Sequence, residues 1–367
     1  MNNALPAADA AGDPAWDALL AETGAHYAQT SLWAMLKARA GWRPIRVTVE
    51  DGDGIAAAAQ LLVRPLPAAF GKVGWVSKGP MLVADDAAHS YEVVDRVVRA
   101  AAAHGVRWLG IQPPVSGNGV ERALVEHSFR VNAAIGMPPA TLRLDLSWDR
   151  QALLAAMRKS TRQNIQRAES NGVTVRRGGE ADLDVFFRLR TQASLRKGFY
   201  THPESYFREM WRLFRPTGSV ELFIAEYRHE VVSAMIAIVF GSAVYSHASA
   251  WSGSHGQVKP NEALKWGAIC WAQENGYRHF DMEGIRPEGA PGLDQSARPS
   301  DPRSVDPFVT TYKLGFGGQP VGVPPAYEYI PNPFLRWGYQ SVYLKVAHTP
   351  WLKAIRSRAM RLVQGRN

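Results

Sequence analysis

The chain repeats one order of elements, and this repeat limits its fold more than any other feature of the sequence. In each half, strand-like segments precede a helix, a glycine ends the helix, and an arginine with alternating apolar residues opens a further strand. The two junctions read AAHGVRWLGIQ at residues 102–112 and QENGYRHFDME at residues 273–283. The repeat predicts an α/β (α+β) fold of two lobes, each with a mixed sheet flanked by helices.

The predicted segments of the two halves follow the same order. In the first half they are two strands around an Asp-Gly turn, a third strand, a helix and a strand, at residues 45–66, 72–82, 88–106 and 107–114. In the second half they are strands joined by a tight polar turn, a helix and a strand, at residues 221–251, 261–277 and 278–285. The shared order supports a duplicated unit.

The link between the halves is predicted to form a basic helix. Ser147 fits as its N-cap, apolar residues follow at helical spacing, and the helix ends at residues 171–172. Arg158, Lys159 and Arg162 lie along it. Such cations either form a solvated surface or follow the phosphates of a bound polyanion, and we assign these three as candidate phosphate contacts.

The length of 367 residues indicates two domains, since about 150 residues per domain is typical. Hydrophobic residues make up 46% of the chain, which is enough to bury two cores. The predicted division is a disordered start, a first lobe, a second lobe and a C-terminal segment, at residues 1–14, 15–145, 146–318 and 319–367.

Charge and cysteine content indicate the compartment and the class of partner. The net charge of +9 favours polyanions such as nucleic acid, phosphorylated substrates or an anionic membrane face. Residues 1–14 lack the features of a secretory signal, and the longest apolar run, residues 231–240, is too short to span a bilayer. The single cysteine, Cys270, excludes an internal disulfide. We therefore expect a cytoplasmic protein.

The C-terminal tail adds a second basic feature. After Glu328 the chain has no acidic residue, and arginines and lysines alternate with tryptophan and tyrosine. This composition suits peripheral contact with the inner face of the membrane, or packing of the aromatic residues on a lobe. Both interpretations stay open from the sequence.

Common catalytic motifs are absent from the sequence. It contains no phosphate-binding loop of the GxxxxGK[ST] type, no HExxH, no CxxC, no GxSxG and no glycine-rich turn for a coenzyme A pyrophosphate. We expect neither a metal nor a cofactor. Four unusual clusters remain as candidate sites, namely LRKGFYTHPESYF at residues 195–207, YSHAS at 245–249, DMEGI at 281–285 and TYKLGFGG at 311–318.

These clusters, in this order, resemble the Fem-type nonribosomal peptidyltransferases, which build the interpeptide bridges of peptidoglycan from aminoacyl-tRNA. The resemblance extends from about residue 29 to residue 328 and includes QTSLWAMLK, SKGPM and RKSTRQNIQRAESNGV. It implies two tandem lobes related to the acetyltransferase (GNAT) fold, an acceptor bound in the cleft between them, and a C-terminal segment that returns to the first lobe. No heptad run is present, so the chain is similar to the compact members without a coiled-coil arm.

The resemblance also implies roles for individual residues. Lys313 matches the lysine that faces the reacting ester, and Lys37 matches a basic contact to the phosphate of the precursor. The other positions assigned to substrate binding are Arg196, His202, Tyr206, Tyr245, His247 and Tyr312, while Arg158, Lys159 and Arg162 become candidate contacts to tRNA.

Two of these positions depart from the family pattern. His202 stands where compact relatives have a phosphate-binding arginine, and a neutral histidine lacks the bidentate fork of a guanidinium. Arg196 or Lys197 would compensate, or the headgroup of the acceptor differs. His247 stands where a second tyrosine is expected.

The chemistry of Lys313 follows from the reaction that the resemblance implies. Attack of an amine on an aminoacyl ester builds negative charge on the carbonyl oxygen, and a fixed cation stabilises that transition state more than the ground state. The amine must lose a proton, and Asp281, Glu283 or a group of the substrate are candidate bases.

Three functions compete at this stage. The first is transfer of an amino acid from aminoacyl-tRNA to a muramyl-pentapeptide precursor, either nucleotide-linked or lipid-linked. The second is a related acyltransferase that uses acyl-CoA, or a tRNA-dependent peptide-forming enzyme of secondary metabolism. The third is a noncatalytic module that binds tRNA or anionic lipid.

Overall fold

The computed structural model describes residues 12–52, 54–66, 71–115, 118–132, 135–286 and 305–338. Within these residues the chain forms two mixed sheets of seven strands, and helices pack against each sheet. The predicted α/β class with a mixed sheet in each lobe is confirmed. Residues 1–11 of the predicted disordered start and the tail beyond residue 338 lie outside the described residues.

The first sheet has the strand order β1-β2-β3-β5-β14-β6, with β4 paired to β2. Its strands are β1 (Arg43–Asp51), β2 (Gly54–Pro65), β3 (Lys72–Ser77), β4 (Met81–Leu82), β5 (Val106–Gln112), β6 (Arg130–Val131) and β14 (Tyr327–Tyr329). The β1–β2 hairpin is antiparallel, and β3 and β5 are parallel. The predicted third strand at residues 72–82 is divided into β3 and β4, because Lys78 between them has a positive φ of 55°.

The helices of the first lobe include the one predicted from apolar spacing. They are α1 (Pro14–Glu22), α2 (Ser31–Arg39), α3 (Ala87–Ala103) and α4 (Asn118–Glu126). Val93, Val94 and Val97 of α3 are fully buried against the sheet, as residues three and four apart on one helical face should be. Asp86 caps α3 by accepting a hydrogen bond from the backbone N–H of His89.

The second sheet has the order β13-β7-β12-β11-β10-β9-β8. Its strands are β7 (Ala140–Asp145), β8 (Thr174–Arg177), β9 (Val220–Tyr227), β10 (Glu230–Phe240), β11 (Ala243–Trp251), β12 (His279–Ile285) and β13 (Gln319–Gly322). The helices that follow in the chain are α5 (Arg150–Ala156), α6 (Lys159–Ser170), α7 (Leu183–Lys197), α8 (Glu204–Phe214), α9 (Pro260–Glu274), α10 (Pro307–Leu314) and α11 (Pro333–Gly338). Strands β11 and β12 are parallel, with α9 between them in the chain.

The prediction of one continuous helix between the halves is wrong in two respects. The segment forms two helices, α5 and α6, and the N-cap of α5 is Asp149 rather than Ser147. Met157 and Arg158 are extended between them, because the N–H of Arg158 donates to the carbonyl of Gly315. The Arg162 guanidinium donates to carbonyls at the end of α5, which replaces the hydrogen bonds that a continuous helix would have made.

The strands near the predicted limits of the lobes do not pair as the predicted division of the chain implies. Residues 140–145 were assigned to the first lobe, but β7 pairs with β12 and β13 in the second sheet and buries Leu142 and Leu144 in its core. Of the C-terminal segment, β13 belongs to the second sheet and β14 pairs with β5 and β6 of the first sheet. The chain therefore crosses between the sheets before residue 140 and after residue 322.

None of the described helices is long and apolar enough to cross a membrane.

A double-glycine turn joins α10 to β13, and its second glycine is a sensitive position. Gly318 has a φ of +85°, and a Cβ there would lie 2.8 Å from the carbonyl oxygen of Arg143. We expect Gly318→Ala to lower the free energy of unfolding by about 1–3 kcal/mol, because both the backbone conformation and the contact become strained. Denaturant unfolding measures the change.

Gly322→Ala is the matched control for this prediction, since Gly322 lies on β13 without a positive φ and no described atom lies within 4 Å of its Cβ position. Its effect should stay within about 0.5 kcal/mol. Equal effects of the two variants would show that the turn tolerates a side chain.

Candidate active site

Polar side chains from both lobes lie together in one cluster. The first lobe contributes Tyr27, in a short 3₁₀ helix, and Lys78, in the loop after β3. A fully buried amide holds these two segments together, because Gln29 Nε2 donates to the carbonyl of Ser77 at 2.7 Å and its Oε1 accepts from the N–H of Gln60. Strands β11 and β12 and helix α10 supply the residues of the second lobe.

Glu283 projects from an irregularity in β12. The pairing of β12 with β7 shifts register between Asp281 and Gly284, and Glu283 has a φ of +56°. A β-bulge commonly redirects a side chain beside a functional site. Here the Glu283 carboxylate, whose side chain is 20% exposed, accepts a hydrogen bond from the hydroxyl of Tyr27 at 2.9 Å.

His247 of β11 lies against the same pair. Its Nδ1 is 3.3 Å from the Tyr27 hydroxyl and 3.8 Å from the Glu283 carboxylate. Tyr245, two residues earlier on the same face, packs edge-on against Tyr27 at 4.9 Å between ring centroids. Two predicted substrate residues, Tyr245 and His247, therefore belong to one cluster with Tyr27 and Glu283.

Lys313 adds a cation to this cluster. Its Nζ donates to the carbonyl oxygen of Gly284 at 2.7 Å, directly beyond Glu283 in the chain. Burial lowers the pKa of Lys313 to about 8, although the negative charges of Glu283 and Asp281 act in the opposite direction. The ammonium is therefore still the main form at neutral pH, and it is only weakly solvated.

Lys78 approaches the same carboxylates from the first lobe. It is 6% exposed, and burial lowers its pKa to about 8 while the charges of Asp281 and Glu283 oppose that shift. The sequence motif SKGPM contributed to the family resemblance, but it gave no reason to assign Lys78 to the site. The positive φ of Lys78 directs the chain there, and that conformation is not visible in the sequence.

Asp281 is occupied by structural contacts. Its carboxylate accepts hydrogen bonds from the Thr141 hydroxyl and from the N–H of Glu283, and it lies 3.8 Å from Nε of Arg143. Burial raises the pKa of Asp281. These contacts fix the bulge of β12 and leave Glu283 as the carboxylate that faces Tyr27 and His247.

A second group of predicted residues lies around Lys37. Its Nζ is 4.5 Å from the ring centroid of Trp33 and 5.4 Å from that of Tyr206, and burial lowers its pKa to about 8. His202 stacks on Tyr206 at 4.0 Å between centroids. Burial, and then the charge of Lys37, lower the pKa of His202 to about 4, so His202 is neutral at pH 7.

Tyr206 offers a hydrogen-bond donor to this group. Its hydroxyl oxygen is buried and has no hydrogen-bond partner among the described residues. Buried polar groups are normally satisfied, so an unpaired hydroxyl beside Lys37 is consistent with a ligand that supplies an acceptor. The structure thus brings Lys37, His202 and Tyr206 together.

Two other predicted residues make their hydrogen bonds outside these clusters. Arg196 donates to the carbonyls of Trp251 and Ser252 at 2.9 and 3.0 Å, so its guanidinium holds the end of β11. The hydroxyl of Tyr312 donates to the carbonyl of Asn261 at 2.9 Å, and its ring packs on Phe316. Both contacts are internal to the second lobe.

The three candidate tRNA contacts lie beside α10. Arg158 and Lys159 are exposed at the start of α6, and Arg158 is linked through its N–H to Gly315, two residues after Lys313. Arg162 is half-buried and caps α5, so its guanidinium has an internal role.

The sequence did not indicate a further buried cation, Lys265 of α9. It is 5% exposed, and its Nζ donates to the hydroxyl of Ser246 and lies 2.9 Å from the Met235 sulfur. Burial lowers its pKa to about 7, and the charge of Lys313 acts in the same direction. The paired residues of β11 and β12 end at Tyr245 and Asp281, so Lys265 and Ser246 lie close to where the two strands stop pairing.

Among the described residues, no group of three or more histidine, cysteine, aspartate and glutamate side chains is arranged to hold a metal ion.

Two family models match the chain in succession. A model described as the FemAB family matches residues 19–136, and one described as an acetyltransferase (GNAT) domain matches residues 155–289. The first match begins within α1 and ends in the loop before β7, and the second covers most of the second sheet.

The match spans 79% of the length of one curated relative and half the length of another. A UDP-N-acetylmuramoylpentapeptide-lysine N(6)-alanyltransferase of Weissella viridescens is 28% identical over 70% of this chain and 79% of that enzyme. A lipid II:glycine glycyltransferase of Staphylococcus saprophyticus is 23% identical over 54% of this chain, and the match spans half of its length.

Solved structures share the fold. The crystal structure of FemX has a TM-score of 0.76 at 18% identity and covers 89% of this chain and 97% of that one. The structure of L-PGS from Bacillus licheniformis has a TM-score of 0.57 at 16% identity, with 88% and 93% covered. A tandem GNAT protein from the clavulanic acid biosynthesis pathway has a TM-score of 0.51 at 13% identity, over 87% of this chain and 94% of that one. Two tandem acetyltransferase-like lobes are therefore the fold of this chain.

Proposed function

We propose that this chain, whose resemblance to the Fem-type transferases the comparisons confirm, is an aminoacyltransferase that forms an amide bond on an amine of a peptidoglycan precursor. The observation that carries the proposal is the position of Lys313 beside a cluster of polar side chains from both lobes. Its ammonium is held by the Gly284 carbonyl, next to the cluster of Tyr27, His247 and Glu283.

Lys313 supplies the electrostatic part of the catalysis. When an amine attacks an ester carbonyl, the carbonyl oxygen becomes an oxyanion, and a cation fixed beforehand stabilises it without reorganisation. Burial strengthens the interaction because little water competes for the ammonium. An aminoacyl ester is already activated, so the proposed reaction requires no covalent enzyme intermediate.

The acceptor is proposed to bind through its phosphate at Lys37. The ammonium of Lys37, the unpaired hydroxyl of Tyr206 and the neutral ring of His202 form one polar surface with aromatic walls. One cation and two neutral groups suit a phosphate that is only partly neutralised by the protein. Both nucleotide-linked and lipid-linked muramyl pentapeptides carry such a phosphate.

The donor is proposed to be aminoacyl-tRNA. The supporting feature is the exposed pair Arg158 and Lys159, which lies at the start of α6 beside the loop that follows Lys313. Cations at this place would hold the phosphates of the acceptor end while the ester reaches Lys313.

Peripheral membrane contact is part of the proposal for a lipid-linked acceptor. On α11, Phe334 is 84% exposed and Trp337 is 66% exposed, and the basic, aromatic sequence of the tail follows directly. Exposed aromatic side chains beside basic residues favour an interface with anionic lipid.

A direct transfer assay tests the function. The purified full chain is incubated with total aminoacylated tRNA and with nucleotide-linked or lipid-linked muramyl pentapeptide, and mass spectrometry follows the acceptor. We expect the acceptor to gain one or more amino-acid residues. A gain from acyl-CoA instead would identify a different donor, and no gain with any donor would contradict an enzymatic function.

Variants of α2 test the acceptor site in the same assay. We expect Lys37→Ala to raise KM for the precursor by about tenfold, because a charge-assisted contact to phosphate is lost. Arg39→Ala, on the same helix but in an exposed salt bridge to Glu209, is the matched control and should change KM less than about twofold.

A further inference from the structure

The hydrogen bonds around His247 determine which ring nitrogen carries its proton. The Tyr27 hydroxyl has one hydrogen, which it donates to Glu283 Oε1 at 2.9 Å. In the 3.3 Å contact between that hydroxyl and His247 Nδ1, the imidazole must therefore be the donor. Glu283 Oε1, at 3.8 Å from the same nitrogen, is also an acceptor. A neutral His247 accordingly holds its proton on Nδ1 and keeps the lone pair on Nε2.

The surroundings of His247 fix this arrangement. Its side chain is only 14% exposed, and its ring lies edge-on to Tyr27 and Trp33 at 6.1 Å between centroids. Glu283 is held by the bulge of β12, and its N–H donates to Asp281. A carboxylate, a hydroxyl and a rigid ring thus define one orientation of the imidazole.

We propose that His247 is the proton acceptor of the transfer reaction, acting through Nε2, and that Glu283 and Tyr27 are positioning residues that hold its Nδ1–H tautomer. The proposal rests on the aminoacyltransferase function proposed above. It selects His247 over the two carboxylates that the sequence offered, since Asp281 is occupied by structural contacts and Glu283 faces the imidazole.

The proposed step balances without a further reactant. The nitrogen of a neutral acceptor amine bonds to the ester carbonyl carbon, and the oxyanion forms beside Lys313. One N–H proton moves to Nε2 of His247. The tetrahedral intermediate then collapses, and the bond between the carbonyl carbon and the ribose oxygen of the tRNA breaks. That oxygen takes the proton from the imidazolium. The products are an amide and a free tRNA hydroxyl.

The charges around the pair favour this division of roles. Burial alone would raise the pKa of Glu283, but the hydrogen bonds and charges of His247, Tyr27 and Lys313 outweigh it, so the pKa lies below its usual value. A carboxylate with a low pKa is a poor proton acceptor for an amine, yet it is a good partner for Nδ1–H. The other titratable groups whose charges interact with Glu283 are Lys78, Tyr206, Tyr245, Lys265 and Asp281.

The test compares two acceptors that differ in their need for a base. One is a muramyl pentapeptide with a lysine amine, and the other carries an aminooxy group at the same position. Attack makes the nitrogen of either acceptor cationic, and the electron-withdrawing oxygen of the aminooxy group makes its N–H acidic enough to lose the proton to water, so this acceptor depends less on an enzyme base. We expect His247→Gln to lower kcat/KM by about 10²-fold for the lysine amine, and by less than about tenfold for the aminooxy acceptor. Glu283→Gln should show the same selectivity with a smaller loss. Lys313→Ala should lose activity on both acceptors, because both pass through an oxyanion.

The selective loss supports the proposal. Equal loss of kcat/KM on both acceptors in His247→Gln, with circular dichroism unchanged, overturns it and assigns His247 to substrate binding. Equal loss in His247→Gln with full selectivity in Glu283→Gln also overturns it, because the carboxylate is then the acceptor. If the wild type transfers to neither acceptor, the proposed function itself fails and the inference falls with it.

Discussion

Replacement of Lys313 by alanine is expected to lower kcat/KM for aminoacyl transfer by about 10³-fold, the size of effect found when a preorganised oxyanion contact is removed. The Lys313 side chain is half-buried, and its ammonium is bound only through the Gly284 carbonyl among its described hydrogen-bond partners. Its loss removes a charge that acts in the transition state, so kcat should fall and KM for the acceptor should change little.

The pH dependence provides a second measure of the same residue. Burial lowers the pKa of Lys313 to about 8, so the ammonium is present below that pH and is lost above it. The wild-type kcat/KM should therefore fall as pH rises through about 8 because of Lys313. Burial also lowers the pKa of Lys37 and of Lys78 to about 8, so Lys313→Ala should lack only the part of this fall that is due to Lys313, and its profile should be less steep than that of the wild type.

Lys159→Ala is the control for loss of a cation from the same lobe. Lys159 is exposed at the start of α6, so its removal should weaken binding of a polyanionic donor and leave kcat nearly unchanged. A Lys313→Ala variant that folds normally and keeps more than about a tenth of the wild-type kcat would contradict an oxyanion role for Lys313.

Local sequence patterns were sufficient to predict the paired lobes. The glycine-ended helices and the strands that follow them depend on residues close in the chain, and α3 and α9 form within a few residues of their predicted limits. The break between α5 and α6 could not be predicted, because it depends on a hydrogen bond from Arg158 to Gly315, more than 150 residues away. The pairing of β7 with the second sheet is long-range in the same way.

The candidate site was only partly accessible from sequence for a similar reason. Lys313 and His247 stand in short motifs that a family pattern can identify. Tyr27 meets Glu283 across 256 residues of chain, and Glu283 faces Tyr27 and His247 because of a bulge that no local pattern indicates. Lys78 reaches the site because its φ is positive, and such a backbone conformation can be recognised only in the structure.

Lys265 leads to the largest expected effect on stability. The described partners of its amine are the hydroxyl of Ser246 and the sulfur of Met235, both of them neutral. Burial lowers its pKa from 10.5 to about 7. In the unfolded chain the amine keeps its usual pKa, so between about pH 7 and 10.5 the unfolded state binds a proton that the folded state does not. The free energy of unfolding must then rise with pH over that interval.

Lys265→Met is expected to remove this dependence, because the thioether fills a similar volume without a titratable group. The variant should be more stable than the wild type near pH 7, and its advantage should shrink by on the order of 3 kcal/mol as pH rises towards 10. Denaturant unfolding of both proteins at a series of pH values measures the difference in their free energies of unfolding. The contributions of the other buried lysines are the same in both proteins and cancel in this difference. Lys72→Met, at an exposed position on β3, should leave the pH dependence unchanged. Parallel curves for wild type and Lys265→Met would mean that the buried amine stays charged in the folded protein, with a counter-charge that the contacts of α9 do not provide.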